Sequence, residues 1–481
     1  MLFFEHLLGK AEQIRSADDV YAAIAEMFDA MADFPGWEFD ADAERHGAQQ
    51  LARRLPDALI LSVYDWNVYC TNRGQRPRQF NDAYFQMKRL VSQVLAEVYP
   101  VGPPPGDGHT MRVAIWVPWL PNNPNNNIMR VAAGYLGGLL QRDGVEAALV
   151  VTNEFSHAIG SSVEHARTDP RPFRPTLESV IGEYNAPPSA LHMAPPPFID
   201  EGNLAWFLAF QQSFAPDVIF IPNFEMSSAH IHGFARSAAT VYLQTSVRNR
   251  PPYDFTRYLY LGEKRKIDDS HIHPDRWHYH TFGYGNFGAG SNLTRADIGL
   301  AEDAFVTVTA GNRLENEVNP EIIEIMANVM DTHPHVTWML MGVKNEPKIR
   351  ENLGPRFATM QDRVVCKSYV REVGDYLSLC DLYVNPRRTG GAVSMALAVY
   401  GQTPVLSFHG NDACNFLVEE MMHDSPDSYG AKLAALVSDT SDLNRVAAQQ
   451  WDRFEAGHTV AASAADLEAH LRAAQADWGE K

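Results

Sequence analysis

The sequence predicts an α/β protein with two parallel-sheet halves in series, preceded by a helical module. Strand patterns alternate with helix patterns from Met111 onward, and the alternation starts again near Asp303 after an aromatic, glycine-rich segment. Such alternation favours parallel sheets covered by helices. The first hundred residues show apolar positions at helical spacing without this alternation, so we expect a separate helical module there.

Composition limits the class of protein further. The 481 residues are 45% hydrophobic and 21% charged, and the formal net charge is -19. This length favours two or three domains, and the acidic balance argues against nucleic acid as a partner. The sequence contains no long apolar run, so we expect no membrane span and a cytoplasmic protein.

Linker composition sets the predicted domain boundaries. The run PVGPPPGDG, residues 100–108, is the clearest boundary, and the glycine-rich stretch His271–Gly290 is predicted to be a hinge. The predicted order is a helical N-terminal module, a first Rossmann-like domain, a second Rossmann-like domain and C-terminal helices, with bounds 1–105, 109–285, 286–440 and 441–481.

The N-terminal module carries two clear helix patterns, Asp18–Ala32 and Phe80–Tyr99, whereas Ala58–Tyr69 fits a helix or a strand. The triplet Asp40–Asp42 has the Asp-x-Asp spacing of a metal-binding motif. Because it lies in an acidic, loop-like run, we interpret it as solvated surface.

Strands in both halves are predicted where β-prone apolar runs end at turn residues, and helices where apolar residues recur at helical spacing. In the first half these are the strands Met111–Leu120, Val145–Thr152, Asp217–Pro222, Thr240–Thr245 and Arg257–Leu261, and the helices Ile128–Asp143 and Asn203–Phe214. In the second half they are the strands Ala304–Ala310, Val336–Met341, Arg363–Cys366, Asp381–Asn385 and Pro404–Phe408, and the helices Pro320–Asp331, Pro347–Leu353, Val373–Leu379 and Gly390–Tyr400.

The stretch Asp381–Gly410, DLYVNPRRTGGAVSMALAVYGQTPVLSFHG, predicts a strand, a basic turn, a small-residue helix and a strand. Gly390 and Gly391 open the helix, directly after the basic pair Arg387 and Arg388. Glycines at a helix start allow close approach to free backbone N–H groups, which attract an anion. Since open α/β sheets bind ligands at the carboxyl ends of their strands, this stretch predicts a phosphate site.

The string NPRRTGG…SMALAVYGQTPVL resembles the donor-nucleotide segment of GT-B glycosyltransferases. The resemblance covers Asp303–Phe416 well and Met111–Leu261 only by pattern. It implies two Rossmann-like domains that face a cleft, with a tail that crosses back to the first. It also implies a metal-independent, hexosyltransferase-type glycosyltransferase that needs no cofactor and transfers the sugar of a nucleotide-sugar donor, a UDP-sugar, to a glycan or protein acceptor.

Further donor contacts are implied by the same resemblance. The family has Gly-Arg and then Lys after the first strand of this domain; here Gly311–Arg313 supplies the arginine, and Glu315–Glu317 replaces the lysine. A Tyr-Val turn, Tyr369 and Val370, matches the segment that holds the nucleobase. Strand-end positions and nearby hydroxyls complete the predicted donor-binding set, which is Arg313, Lys344, Tyr369, Val370, Arg387, Arg388, Thr389, Gly390, Gly391 and Ser394.

Three residues of the first half are candidates for a catalytic base: Glu225 after the strand DVIFIP, His230 in SSAHIH and His280 in HYH. The alternative for each is a hydrogen-bonded structural residue. The spacings HIH and HYH are compatible with a metal, but the sequence places no acidic third ligand beside them, so no metal is predicted.

Two alternative functions stay open because the sequence departs from the family pattern. The lysine is missing, and so are the two glutamates that retaining members carry around the glycine turn. The first alternative is a catalytically degenerate partner subunit of an active glycosyltransferase. The second is a sugar-nucleotide epimerase of the same architecture.

Overall fold

The computed structural model forms two compact units. Among the described residues, unit 1 holds those up to Tyr260, those from His273 to His280 and those from Ser463 onward, and unit 2 holds Leu261 and Thr281–Ala462. The described residues are 2–31, 39–63, 78–100, 110–117, 120, 124, 127–154, 171–198, 202–223, 237–244, 254–261, 273–285, 293–368, 370, 373–388, 391–411 and 413–479.

Helices form the first part of unit 1, as predicted. They are α1 (Phe3–Gly9), α2 (Ala17–Met31), α3 (Ala41–Arg54), α4 (residues 56–63) and α5 (Arg78–Val98). Their apolar faces share one core, which also takes in Leu204 of the sheet domain. The helical module therefore packs onto the first sheet domain within a single unit.

The Asp-x-Asp triplet of this module is a helix cap. The Asp40 carboxylate accepts hydrogen bonds from the backbone N–H of Asp42 at 3.0 Å and of Ala43 at 3.2 Å. Asp40 is exposed and begins α3. The geometry is that of an N-cap, which satisfies otherwise unpaired backbone donors, and it agrees with the interpretation of this triplet as surface.

The first sheet has seven parallel strands in the order β3-β2-β1-β4-β5-β6-β7. Their bounds are β1 (Met111–Val117), β2 (Val145–Val151), β3 (Leu191–Met193), β4 (Val218–Asn223), β5 (Ala239–Gln244), β6 (Arg257–Tyr260) and β7 (Trp277–Tyr279). The helices among them are α6 (Asn127–Leu140), α7 (Arg174–Glu183) and α8 (Asn203–Phe214).

Two of these strands were not predicted. The strand β3 lies between the predicted strand Val145–Thr152 and the predicted helix Asn203–Phe214, where no strand was predicted, and β7 lies in the stretch expected to be a hinge. Each has three residues, and β7 pairs in parallel with β6, Tyr258 beside Trp277. So short an apolar run gives no periodic signal, and only its pairing with a distant strand defines it.

The second sheet lies in unit 2 and has six parallel strands in the order β10-β9-β8-β11-β12-β13. The strands are β8 (Phe305–Ala310), β9 (Val336–Met341), β10 (Val364–Lys367), β11 (Leu382–Val384), β12 (Val405–Phe408) and β13 (Met422–His423). Its helices are α9 (Leu314–Glu317), α10 (Pro320–Thr332), α11 (Glu346–Leu353), α12 (Phe357–Met360), α13 (Val373–Leu377), α14 (Ala392–Tyr400) and α15 (Pro426–Ser438).

The C-terminal tail is two helices, α16 (Ser441–Gly457) and α17 (Val460–Gly479). The first belongs to unit 2, and the chain returns to unit 1 only at Ser463. Among the described residues, no helix combines the length and the apolar content that crossing a bilayer requires. The two parallel sheets and the helices that connect their strands confirm the α/β class that the sequence predicts.

Candidate functional site

The carboxyl edge of the second sheet carries the predicted donor residues. The loops after β8, β9 and β11 begin at Gly311, Gly342 and Asn385, and parallel pairing brings these strand ends to one edge. Gly342 has φ +95°, and a Cβ there would collide with the Gly311 carbonyl. Glycine at position 342 therefore allows the loops after β8 and β9 to come into direct contact at this edge.

Arg388 is the most buried cation at this edge, with a side chain 3% exposed. Its Nη1 donates to Glu317 Oε2 at 2.7 Å, and its Nε donates to Asn385 Oδ1 at 2.8 Å. Its Nη2 donates to the Tyr383 hydroxyl at 2.8 Å and to the Ala310 carbonyl at 3.0 Å. Every nitrogen of the guanidinium thus has a protein acceptor, and these bonds fix Arg388 inside the edge.

The space that glycines leave open at this edge is filled by Arg388. A Cβ at Gly391, whose φ is +88°, would lie 2.6 Å from the Arg388 Nε, and a Cβ at Gly311 would lie 2.7 Å from its Nη1. The sequence predicts that a ligand approaches the backbone through this opening. In the structure the opening admits a guanidinium of the chain itself.

Glu317 is the counter-ion of this edge, and its side chain is 10% exposed. Besides Arg388, it accepts from Arg313, whose Nε lies 3.0 Å and Nη2 2.9 Å from Glu317 Oε1. One carboxylate therefore bridges two of the predicted phosphate ligands. Glu317 belongs to the segment that replaces the family's lysine. The role of Glu317 as a counter-ion was not predicted, although the Arg313–Glu317 spacing of four residues is a usable signal in the sequence.

The other predicted cations lie at the surface. Arg313 is 57% exposed and Arg387 is 45% exposed, and Lys344 is also exposed. Arg387 donates to Glu321 at 3.2 Å, and its guanidinium carbon lies 4.2 Å from the centre of the Phe408 ring. The side chains of Arg313, Arg387 and Lys344 are therefore accessible from solvent, whereas that of Arg388 is not.

Glu315 holds the loop that carries Lys344. Its Oε1 accepts from the backbone N–H of Lys344 at 2.6 Å and of Asn345 at 2.8 Å. Partial burial acts to raise the pKa of the Glu315 carboxyl, but these backbone hydrogen bonds and the Lys344 charge bring the pKa below its ordinary value. Glu315 is therefore an ionised acid beside the exposed cations.

Ser394, a predicted donor ligand, faces inward. Its hydroxyl lies 2.8 Å from the Tyr383 hydroxyl and donates to the Gly391 carbonyl at 2.9 Å. Val370 is half-buried and packs against the core of unit 2. Tyr369, Thr389 and Gly390 lie outside the described residues.

Of the three candidate bases, only His280 lies among the described residues; Glu225 and His230 do not. His280 is fully buried in unit 1. Its Nδ1 lies 2.7 Å from Asp466 Oδ2, and its Nε2 lies 3.0 Å from the Tyr135 hydroxyl. A base that meets a substrate needs an accessible nitrogen, so this geometry favours the structural alternative for His280.

The two parallel sheets and their helices define a GT-B fold, the class found in glycosyltransferases. The structure is similar to an O-GlcNAc transferase from Thermobaculum terrenum, with 14% identity and a TM-score of 0.54 over 99% of this chain and 98% of that chain. It is also similar to a glycosyltransferase from Rickettsia africae, with 9% identity and a TM-score of 0.55 over 76% of this chain and 98% of that chain.

A third similar structure is Anabaena HepE in complex with UDP and glucose, with 13% identity and a TM-score of 0.52 over 76% of this chain and all of that chain. No family model and no curated protein sequence matches the chain. The likeness is therefore one of fold, since identities this low leave the site residues to be argued from their own geometry.

Proposed function

We propose that this chain is a glycosyltransferase that transfers a sugar from a UDP-sugar to a glycan or protein acceptor. The observation that carries the proposal is the carboxyl edge of the second sheet, where the loops after β8, β9 and β11 expose Arg313, Lys344 and Arg387 and where the loop after β11 leads into α14. Exposed cations beside a helix N-terminus suit a diphosphate.

The chemistry follows from charge. Glycosyl transfer from a nucleotide-sugar leaves a nucleoside diphosphate, whose developing negative charge must be stabilised. Arginine guanidinium groups and helix N–H groups can do this without a metal ion, because they are held in place before the reaction. We assign the donor to unit 2 and the acceptor to unit 1, as the resemblance implies. The proposed sugar transfer is supported by the glycosyltransferase structures of similar fold, one of which contains UDP.

Calorimetry tests the proposal directly. The full chain is titrated with UDP, ADP, GDP and CDP, and with UDP-sugars, and binders are then assayed for sugar transfer and for donor hydrolysis. We expect UDP to bind more tightly than the other nucleotides. Absence of nucleotide binding at millimolar concentration would contradict an enzymatic function.

A second candidate function is a catalytically degenerate partner of an active glycosyltransferase. The bridge from Glu317 to Arg313 and Arg388 favours it, because a built-in carboxylate occupies cations that a diphosphate would use. The variant Glu317→Gln separates the two functions. If the parent chain binds no nucleotide but Glu317→Gln does, the chain is the degenerate partner. If the parent chain binds the nucleotide and transfers the sugar, it is the enzyme.

A further inference from the structure

A cluster of two histidines and an aspartate lies in unit 1. His280 follows β7, and Asp466 and His470 lie one turn apart on α17. Asp466 Oδ2 is 2.7 Å from His280 Nδ1 and 3.7 Å from His470 Nε2. One ligand atom from each residue lies within 4.8 Å of the others.

We propose that His280, Asp466 and His470 bind one divalent transition-metal ion, Zn²⁺ in particular. Zinc takes imidazole nitrogen and carboxylate oxygen at about 2.0–2.2 Å in a tetrahedral arrangement, which places neighbouring ligand atoms about 3.3 Å apart. The separations of Asp466 Oδ2 from the two imidazole nitrogens, 2.7 Å and 3.7 Å, lie on either side of this value, so side-chain adjustment can bring the three ligand atoms around one ion. The structure supplies the acidic ligand that the sequence alone did not place beside HYH.

The surroundings of the cluster suit metal ligands. The Tyr135 hydroxyl lies 3.0 Å from His280 Nε2, which fixes that ring and directs its Nδ1 to the metal position. An outer hydrogen-bond partner of this kind is usual for a metal-binding histidine. The Tyr279 carbonyl lies 3.1 Å from His470 Nε2 and offers a further oxygen.

Access favours binding as well. The charge of Arg257, which acts on His470, is offset by its ion pair with Asp477 at 3.0 Å. His280 is fully buried, whereas the Asp466 side chain is 36% exposed, so an ion can enter from the Asp466 side.

The position of the cluster gives the ion a structural role. The chain leaves unit 1 after His280 and returns at Ser463, three residues before Asp466. A metal bound here joins the departing and returning segments at one point of unit 1. This role does not depend on the proposed sugar transfer.

The test uses the untagged full chain after treatment with a chelator and dialysis. Calorimetric titration with Zn²⁺ should show one ion per chain, and Co²⁺ should give the visible absorption of a tetrahedral site. Loss of an outer hydrogen-bond partner typically costs about ten- to a hundredfold in metal affinity. We expect about tenfold weaker Zn²⁺ binding in Tyr135→Phe, and a larger loss in Asp466→Asn and in His470→Gln.

The matched control is His335→Gln, which removes an exposed histidine of unit 2 and should leave Zn²⁺ binding unchanged. Circular dichroism of the metal-free proteins checks that each variant folds. If one of Tyr135→Phe, Asp466→Asn and His470→Gln fails to fold, the other two still test the proposal. The proposal is overturned if the parent binds no stoichiometric Zn²⁺, if binding survives in the folded ligand variants, or if His335→Gln weakens it equally.

Discussion

Titratable side chains are buried in two places: the histidine cluster of unit 1, and the carboxyl edge of the second sheet in unit 2, called here the donor edge. These side chains have different kinds of hydrogen-bond partner in the two places. At the donor edge every nitrogen of Arg388 donates to an acceptor of the chain, with Glu317 as its counter-ion. In the histidine cluster the imidazoles of His280 and His470 face two oxygen acceptors, the Asp466 carboxylate and the Tyr279 carbonyl. The cations of the donor edge are thus neutralised within the chain, whereas the cluster combines imidazole nitrogens with oxygens, the ligand types that a divalent metal ion takes.

The largest expected effect tests whether Arg388 is structural. Arg388→Ala removes a partner of the nearly buried Glu317, and breaking one side of a buried pair costs about 3–5 kcal/mol in the free energy of unfolding. The neighbouring Arg387→Ala should cost less than about 1 kcal/mol, because the Arg387–Glu321 pair is exposed. Urea denaturation measures both variants. Equal losses would show that the buried and exposed arginines of this edge do not differ.

The second prediction tests the exposed cations as phosphate ligands. Arg313→Ala should weaken UDP binding about ten- to a hundredfold, since a charge-assisted contact contributes about 1.5–3 kcal/mol. Calorimetry with UDP measures the change. Arg350→Ala is the control, because Arg350 pairs with Glu346 on α11 and is exposed. Unchanged UDP affinity in Arg313→Ala would place the diphosphate elsewhere.

The third prediction concerns Glu317 and has the opposite sign. Glu317→Gln removes the carboxylate that competes with a diphosphate for Arg313, so UDP affinity should rise about tenfold, or about 1.4 kcal/mol. Glu321→Gln, which changes only the exposed partner of Arg387, should have a smaller effect. If Glu317→Gln weakens UDP binding as Arg313→Ala does, then Glu317 supports the ligand instead of competing with it.

The smallest effect is a pH dependence at Glu315. Its folded-state pKa lies below the ordinary 4.5, so the carboxylate stabilises the fold above pH 4.5, and this stability is lost as the pH falls through the folded value. Glu315→Gln should therefore lower the free energy of unfolding by no more than about 1 kcal/mol near neutral pH.

This difference between parent and Glu315→Gln should shrink as the pH falls below 4.5. Denaturation curves across that range measure it, with Glu351→Gln, an exposed partner of Lys348, as control. A difference that stays constant with pH would mean that the Glu315 charge does not stabilise the loop.

Much of the fold was predictable from local sequence. The strand β9 and the helix α8 have the predicted bounds, because their apolar runs and flanking residues carry the signal within the segment. The strands β3 and β7 were missed because three residues show no period, and a distant partner strand alone makes them strands.

The candidate site likewise has some features that the sequence predicts and others that it does not. The location of Arg313, Arg387 and Arg388 at the carboxyl edge of one sheet is predictable from the sequence, because strand order along the chain and parallel pairing require it. The folded structure was needed to show that Arg388 is buried against Glu317, 71 residues away, while the adjacent Arg387 is exposed. It likewise brought His280 to Asp466 across 186 residues. The physical reason is that burial and ion pairing depend on side chains that meet only after the chain has folded.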